Sequence, residues 1–158
     1  MIRCGIGYDV HRLAEDRPLV VGGVEIPHER GLEGHSDGDV LSHAIADALL
    51  GAICAGDIGQ HFPNTDESIR GISSIKILQR VSELLAEKKA RAVNVDATVI
   101  AEAPRITPHI PAMRKKIAQA IGAPESRVSI KATTNERLGA IGRGEGIAAM
   151  AIATVEQE

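Results

Sequence analysis

The sequence predicts an α+β domain: a mixed four-stranded sheet with helices on one face, a β-α-β-α-β-β core with a small hairpin added. Three observations predict it. Strand-like alternation opens the chain, a nearly continuous apolar strand closes it, and three segments between them repeat apolar residues at helical spacing. Three helices are too few to cover both faces of a sheet, which favours α+β over a doubly wound fold. The length of 158 residues fits one domain, 1–158. With 44% hydrophobic and 25% charged residues, composition excludes a disordered or collagen-like chain.

The elements follow in order. Residues 2–11 alternate, with Ile2, Cys4, Ile6, Tyr8 and Val10 on one side and Arg3, Gly5, Gly7, Asp9 and His11 on the other, as in a half-buried strand. Leu19 to Val21 and Val24 to Ile26 flank Gly22-Gly23, a hairpin with a glycine turn. After a polar loop over 31–38, Val40, Leu41, Ala44, Ile45, Ala48, Leu49, Ala52 and Ile53 recur at helical spacing and predict a first helix over 39–54. Residues 56–71 have no period, and an aperiodic stretch of that length is usually functional. Ser73 or Ser74 caps a second helix with Ile75, Leu78, Val81 and Leu85 on one face, ending at Lys88-Lys89 where cations suit the helix dipole. A strand is expected over 93–101. Thr107-Pro108 supplies a cap and a first-turn proline for a third helix, with Ile110, Met113, Ile117 and Ile121 on its face and Gly122 as its stop. Residues 127–133 alternate as a strand. Past the turn Gly142-Arg-Gly-Glu-Gly146, residues 147–155 are apolar at nearly every position, so this strand is expected to be covered on both faces. One sheet face lacks helices, so the chain is expected to pack that face against its own copies around a symmetry axis.

Charge and composition narrow the function. The net charge of -3 provides no broad basic face for nucleic acid or an anionic membrane. Tyr8 and Phe62 are the only aromatics, so there is no platform for stacking single-stranded bases. Cys4 and Cys54 are far apart and form no CxxC pair; both are expected to be buried thiols, with no disulfide and no thiolate zinc site. The first twelve residues contain charges and glycines rather than a secretory core, and no apolar run approaches about 18 residues, so a cytoplasmic protein is expected.

Several residues point to metal and phosphate chemistry. Asp9 and His11 project together from one strand face, and His43 lies early in the first helix. One carboxylate and two imidazoles are a ligand set used by catalytic zinc, with the fourth position open; taken alone, the D-x-H spacing is a weak signal that fits polar surface residues near a strand end better. Asp47, one turn on, can orient His43 or be a solvated helix carboxylate. His35-Ser36 precedes a helix, where Ser36 can meet an anion or simply cap. The run Lys131-Ala-Thr-Thr-Asn-Glu136 offers a cation, hydroxyls and a carboxylate suited to phosphate and magnesium, or an ST-rich turn. Gly142-x-Gly-x-Gly146 precedes a strand, which excludes a dinucleotide fingerprint; Arg143 and Glu145 can pair, or Arg143 can face a phosphate. His28, His61 and His109 have no partner in sequence and read as surface or loop residues.

Together these segments resemble the 2-C-methyl-D-erythritol 2,4-cyclodiphosphate synthase family nearly end to end. The resemblance rests on Gly7-Tyr-Asp-Val-His11, Gly34-His-Ser-Asp-Gly-Asp39, His43 through Asp47-Ala-Leu-Leu-Gly51, Gly56-Asp-Ile-Gly59, Phe62-Pro63 with Asp66, Pro108-His-Ile-Pro111, Lys131-Ala-Thr-Thr134 with Glu136, and Gly142-Arg-Gly-Glu-Gly146. It implies that Asp9, His11 and His43 bind a divalent metal, usually zinc, that Glu136 holds magnesium or manganese, and that His35 and Thr134 stabilise the transition state. It places substrate contacts on Asp9, Val10 and His11, on His35 and Ser36, and on Asp57, Ile58 and Gly59. Further contacts fall on Phe62, Pro63, Asn64, Thr65 and Asp66, on Ala101, Glu102, Ala103, Pro104, Arg105, Ile106 and Thr107, and on Thr133, Thr134, Asn135, Glu136 and Arg143. It also implies a homotrimer with active sites between subunits, which converts 4-diphosphocytidyl-2-C-methyl-D-erythritol 2-phosphate to a cyclic diphosphate and CMP. Two departures stand out. Ala140 occupies a position where many members carry phenylalanine, which removes that ring's packing beside the methylerythritol and at the mouth of the trimer channel, and Asn64 stands where many carry other short residues. The rival readings are a metal-dependent phosphohydrolase or phosphodiesterase and a non-catalytic trimeric module that senses an isoprenoid phosphate.

Overall fold

The opening alternation runs further than 2–11: β1 is Ile2–Ala14 in a computed structural model that describes residues 1–158. The extra residues have partners, since Leu13 and Ala14 pair with a two-residue strand, β4 (Gly31–Leu32), too short to show a period in sequence. The hairpin β2 (Leu19–Val21) and β3 (Val24–Ile26) stands as its own two-stranded sheet. Gly22 and Gly23 turn it with φ of 59° and 72°, a left-handed pair that glycine adopts without strain. Then come α1 (Val40–Ala52), α2 (Ile58–His61), α3 (Ser74–Glu87), β5 (Ala90–Ile100), α4 (Ile110–Ile121), β6 (Val128–Thr133), α5 (Gly139–Gly142) and β7 (Gly146–Gln157). Single 3-10 turns lie at Glu67–Ile69, Thr107–His109 and Glu125–Arg127.

The main sheet has five strands in the order β4-β1-β7-β5-β6, one more than expected because of β4. It is mixed, as predicted: β5 and β6 run parallel and the other pairs antiparallel. Two helix starts differ from the sequence reading. Thr107-Pro108 begins a 3-10 turn, and the α-helix starts at Ile110 with Pro111 in its first turn. At α3, Ser73 makes no side-chain cap bond; the Ser74 N–H donates instead to Asp37 Oδ2 at 2.9 Å. Gly122 ends α4 in the left-handed conformation, φ 68°, as its position suggested.

The core lies between the sheet and α1, α3 and α4. α1 is buried almost all round and lies directly on β1, which only glycine permits: a Cβ on Gly7 would sit 1.9 Å from the Ala44 carbonyl oxygen and one on Gly5 2.0 Å from that of Ala48. Asp39 fixes the start of α1. Its wholly buried carboxylate accepts from the N–H groups of Gly22, Gly23 and Ser42 and from the Ser42 hydroxyl, all within 3.0 Å, tying the hairpin turn to the helix N-terminus. Burial pushes this carboxyl's pKa up, against the downward pull of those N–H groups. Ile77, Leu78, Val81 and Leu85 of α3 are buried, each contributing on the order of 1.5–3 kcal/mol of transfer free energy.

β1 turns Gly5, Gly7, Asp9 and His11 toward α1, and its large apolar residues the other way. Ile2, Ile6, Tyr8 and Val10 are 47–66% exposed, beside Met150 at 45% and Ile152 at 53% on β7. The two-sided cover expected for the last strand is therefore not supplied within one chain. No helix is long and apolar enough to cross a membrane.

Candidate metal centre and substrate pocket

Asp9 and His11 share the β1 face that looks at α1, and His43 lies in the first turn of α1, so the close approach of helix to strand brings the three together. Asp9 Oδ2, His11 Nε2 and His43 Nδ1 form a triangle with sides of 2.7, 2.9 and 3.1 Å, and these residues are the chain's one potential metal-ligand cluster. The far ring nitrogens are occupied. His11 Nδ1–H donates to the Glu33 carbonyl, and His43 Nε2 lies 2.8 Å from Ser74 Oγ and 3.0 Å from Ser36 Oγ. With protons on the outer nitrogens, three lone pairs converge on one point, an arrangement that a cation relieves. A tetrahedral zinc with bonds of about 2.0–2.1 Å sets its ligand atoms about 3.3 Å apart, so a slight opening of the triangle admits it. The donor set fits a divalent metal. Without a cation, protonation of the imidazoles relieves the same contact: burial pushes the Asp9 pKa up, but hydrogen bonds and charge from the protonated His11 and His43 outweigh it and hold the carboxyl down to about 2, while for His11 burial pulls down and Asp9 more than compensates, raising it.

The triad forms one wall of a cavity of about 250 Å³ closed by His35, Ser36, Gly59, Phe62, Asn64 and aliphatic side chains including Ile58 and Ile72. The loop over 34–36 is held from below, where Arg17 Nη2 donates to the carbonyls of Gly34 and Ser36, both at 3.4 Å, and from above, where the Gly71 N–H donates to the His35 carbonyl at 2.8 Å. His35 Nε2 is buried in this wall without a partner, a polar atom that a ligand would satisfy. Asp57 caps α2 through the Gln60 N–H, and Asp66 caps the next 3-10 turn through Ser68. Pro63, Thr65 and Asp66 are exposed at the edge of this loop.

A second cavity, about 170 Å³, is lined by Ala101, Glu102, Pro104, Arg105, Ile106 and Thr107 with Ala132, Thr133 and Thr134. It shares no residue with the first. Every residue over 131–140 is exposed, and Glu136 and Arg137 hold left-handed φ values of 51° and 61°. Glu102 Oε1 braces this bend by accepting from the N–H groups of Asn135 at 2.9 Å and Arg137 at 3.2 Å. The candidate substrate residues thus fall into two groups that one chain does not bring together. Val10 points to the open sheet face, Ala103 is exposed beside the second cavity, and Arg143 pairs with Glu145 at 2.7 Å.

Four sequence readings need correction. Asp47 does not orient His43, because its Oδ1 accepts from the Ile58 N–H at 2.8 Å. Lys131 serves neither cavity; strand pairing sets it across from Thr98, and it reaches diagonally to Asp96, with Nζ 2.6 Å from both carboxylate oxygens. Cys4 and Cys54 are both exposed rather than buried: Cys4 is on the open sheet face, and Cys54 follows the end of α1 with its sulfur 2.8 Å from Arg3 Nη2. Sequence reasoning also missed Asp37 and Ser74. Ser74 reads as a helix cap, and only its burial in the fold turns its hydroxyl to His43.

The family model described as the YgbB family matches residues 2–156. The 2-C-methyl-D-erythritol 2,4-cyclodiphosphate synthase of Alkaliphilus metalliredigens is 60% identical over 156 residues, covering 99% of this chain and 98% of that protein. Its namesake from Symbiobacterium thermophilum is 60% identical over 151 residues, covering 96% of each. Among solved structures, a Plasmodium falciparum IspF complex with CDP matches with TM-score 0.86 at 34% identity over 99% of this chain and 97% of that one. The bifunctional IspDF of Campylobacter jejuni matches with TM-score 0.95 at 39% identity; this chain spans 43% of its length. The match of the family model from one end of the chain to the other, and of relatives equally complete, makes this chain a member of the YgbB family.

Proposed function

We propose that the chain is a cytoplasmic lyase of isoprenoid biosynthesis that cyclises 4-diphosphocytidyl-2-C-methyl-D-erythritol 2-phosphate to 2-C-methyl-D-erythritol 2,4-cyclodiphosphate with release of CMP. The observation that carries it is the convergence of Asp9 Oδ2, His11 Nε2 and His43 Nδ1 beside the unpartnered His35 Nε2, in a chain 60% identical to proteins named for this reaction.

In the reaction a 2-phosphate oxygen bonds to the β-phosphorus, and the bond from that phosphorus to the oxygen bridging it to the α-phosphorus breaks. That bridging oxygen departs with CMP. The nucleophile is already an anion, so no general base is required, and the protein's task is to position groups and offset charge. Asp9, His11 and His43 would hold a zinc ion and Glu136 a magnesium or manganese ion, which supply Lewis-acid charge at the phosphates. His35 and Thr134 donate hydrogen bonds to oxygens that gain charge. Ser36, Asp57, Ile58, Gly59 and the segment 62–66 wall the methylerythritol side and exclude water, favouring ring closure over hydrolysis. The segment 101–107 with Thr133, Thr134, Asn135 and Glu136 forms the cavity for the cytidine and its phosphates, and Arg143 is available to a phosphate once it leaves Glu145.

The working form is proposed as a homotrimer in which the first cavity of one chain meets the second cavity of the next. Two facts support this: the two cavities share no lining residue, and the sheet face with Ile6, Met150 and Ile152 is uncovered. Phosphorus NMR of the purified chain with this substrate and magnesium tests the proposal. A cyclic diphosphate with equimolar CMP is expected; inorganic phosphate or an open-chain diphosphate would establish a hydrolase, and absence of turnover with zinc bound a sensing module.

A further inference from the structure

His43 is held from behind more elaborately than a ligand of its kind requires. Its Nδ1 faces Asp9 and His11, while its Nε2 has two hydroxyl neighbours, Ser74 Oγ at 2.8 Å and Ser36 Oγ at 3.0 Å. A hydroxyl can give its proton to the imidazole or receive one from it. These two choices have opposite consequences, because a proton received at Nε2 from a serine implies that Nδ1 carries its own proton and offers no lone pair. Ser36 does not settle the matter: its oxygen accepts from the Gly38 N–H at 3.2 Å, and its proton has no partner other than His43. Ser74 does. It is fully buried, and its hydroxyl meets Asp37 Oδ1 while its N–H donates to Asp37 Oδ2 at 2.9 Å. A carboxylate only accepts, so the Ser74 proton is committed to Asp37 and the Ser74 oxygen must accept from His43 Nε2–H. Asp37 is anchored in turn, since its Oδ1 accepts from the Asp39 N–H at 3.1 Å and its own N–H donates to the Ile72 carbonyl at 3.1 Å.

We propose that Asp37 and Ser74 are positioning residues of the metal centre: the Asp37 carboxylate orients the Ser74 hydroxyl, which fixes His43 in the Nε2–H tautomer and presents Nδ1 as a ligand. This rests on the reading that the Asp9, His11 and His43 triad binds a divalent cation. Asp37 lies in the loop before α1 and Ser74 begins α3, so the chain also couples the triad to the helix that closes the aperiodic loop. Replacing either residue leaves all three ligands in place, which separates orientation from ligation.

The test is zinc affinity of the full chain, measured by competition with a chromophoric chelator, together with the visible spectrum of the cobalt(II)-loaded protein. Ser74→Ala and the isosteric Asp37→Asn are each expected to weaken zinc binding about 10–100-fold, the usual cost of removing an outer hydrogen-bond partner of a ligand histidine. Both should also alter the cobalt spectrum. Ser74→Thr, which keeps the hydroxyl, is expected to restore most of the affinity, and Ser36→Ala to stay closer to wild type than either. Wild-type affinity and spectrum in both Ser74→Ala and Asp37→Asn would overturn the proposal. A loss confined to Ser74→Ala would overturn the role of Asp37. Failure of the wild-type chain to bind zinc or cobalt would instead overturn the metal reading on which the proposal rests. Because Asp37→Asn preserves shape, the test stands even where Ser74→Ala folds poorly, and melting of the metal-free variants identifies that case.

Discussion

The wall around Asp9 and the rim over residues 131–140 are built in opposite ways. At the triad, both imidazoles are backed by other elements: β1 and α1 supply the ligands, the loop after β4 supplies Glu33, Ser36 and Asp37, and α3 supplies Ser74. On the rim every side chain is exposed, two non-glycine residues hold left-handed backbone, and a single carboxylate, Glu102, braces the bend. The first region is complete in one chain. The second has its functional groups aligned but nothing facing them, as expected of half of a shared site. A backed triad and an unpaired rim teach that, on the function proposed above, the ligands of the first metal come from one chain while the rim has to be completed by assembly.

Four measurements would break or sharpen that contrast. The largest effect is expected for His43→Ala, which should reduce turnover about 10³-fold or more, since Lewis-acid stabilisation is worth several kcal/mol, while size-exclusion chromatography shows an unchanged oligomer. Full turnover in a zinc-free variant would remove the triad from the chemistry. Next is Gly7→Ala, whose new Cβ meets the Ala44 carbonyl oxygen at 1.9 Å; overpacking against backbone should cost about 3 kcal/mol in urea unfolding, and a cost near zero would show that α1 is free to move on β1. Third, Glu136→Gln should raise the magnesium needed for half-maximal activity about tenfold or more with zinc affinity unchanged. Equal loss of both metals would join the two regions into one unit. The smallest effect belongs to the pair of Asp96 with Lys131, whose hydrogen bond outweighs slight burial and holds the Asp96 carboxyl below its usual range. A lowered folded pKa gives stability that is present above about pH 4 and lost as pH falls through the lowered value. Asp96→Asn should therefore cost about 0.5 kcal/mol at neutral pH, a discounted value for a half-exposed pair, and nothing in strong acid. A cost several times larger would mean that the pair is desolvated between subunits.

Legibility followed the range of the interactions. Period-2 and period-3.6 patterns are local, and they located β1, the hairpin, the three long helices and β7. They brought out Asp9, His11 and His43 because two-residue spacing on a strand and a position one turn into a helix are local as well. The two-residue β4 was hidden, being defined by its partner rather than its own pattern. Asp37 and Ser74 were hidden for the same reason: 37 residues separate them, and each resembles ordinary turn or cap chemistry until the fold joins them. Asp47 misled in the reverse sense, since its spacing from His43 is right for contact but the Ile58 N–H claims it. The alternation in β1 located the strand without saying which face is covered, and the answer is the face with glycines, because only there can a helix backbone come so close.

The pairing of Ile2 with Glu156 and of Arg12 with Gly146 puts the first and last strands side by side in the sheet. During synthesis β1 is therefore made first and waits for its long-range neighbour until roughly 130 further residues have been added, about 7–26 s at about 5–20 residues per second. Throughout that interval a strand bearing Ile2, Ile6, Tyr8 and Val10 is without β7, and loop closure over nearly the whole chain must precede the central pairing. Completion of this sheet is thereby bound to wait for the synthesis of β7, and β1 is the segment that a ribosome-bound chaperone would have most reason to shield.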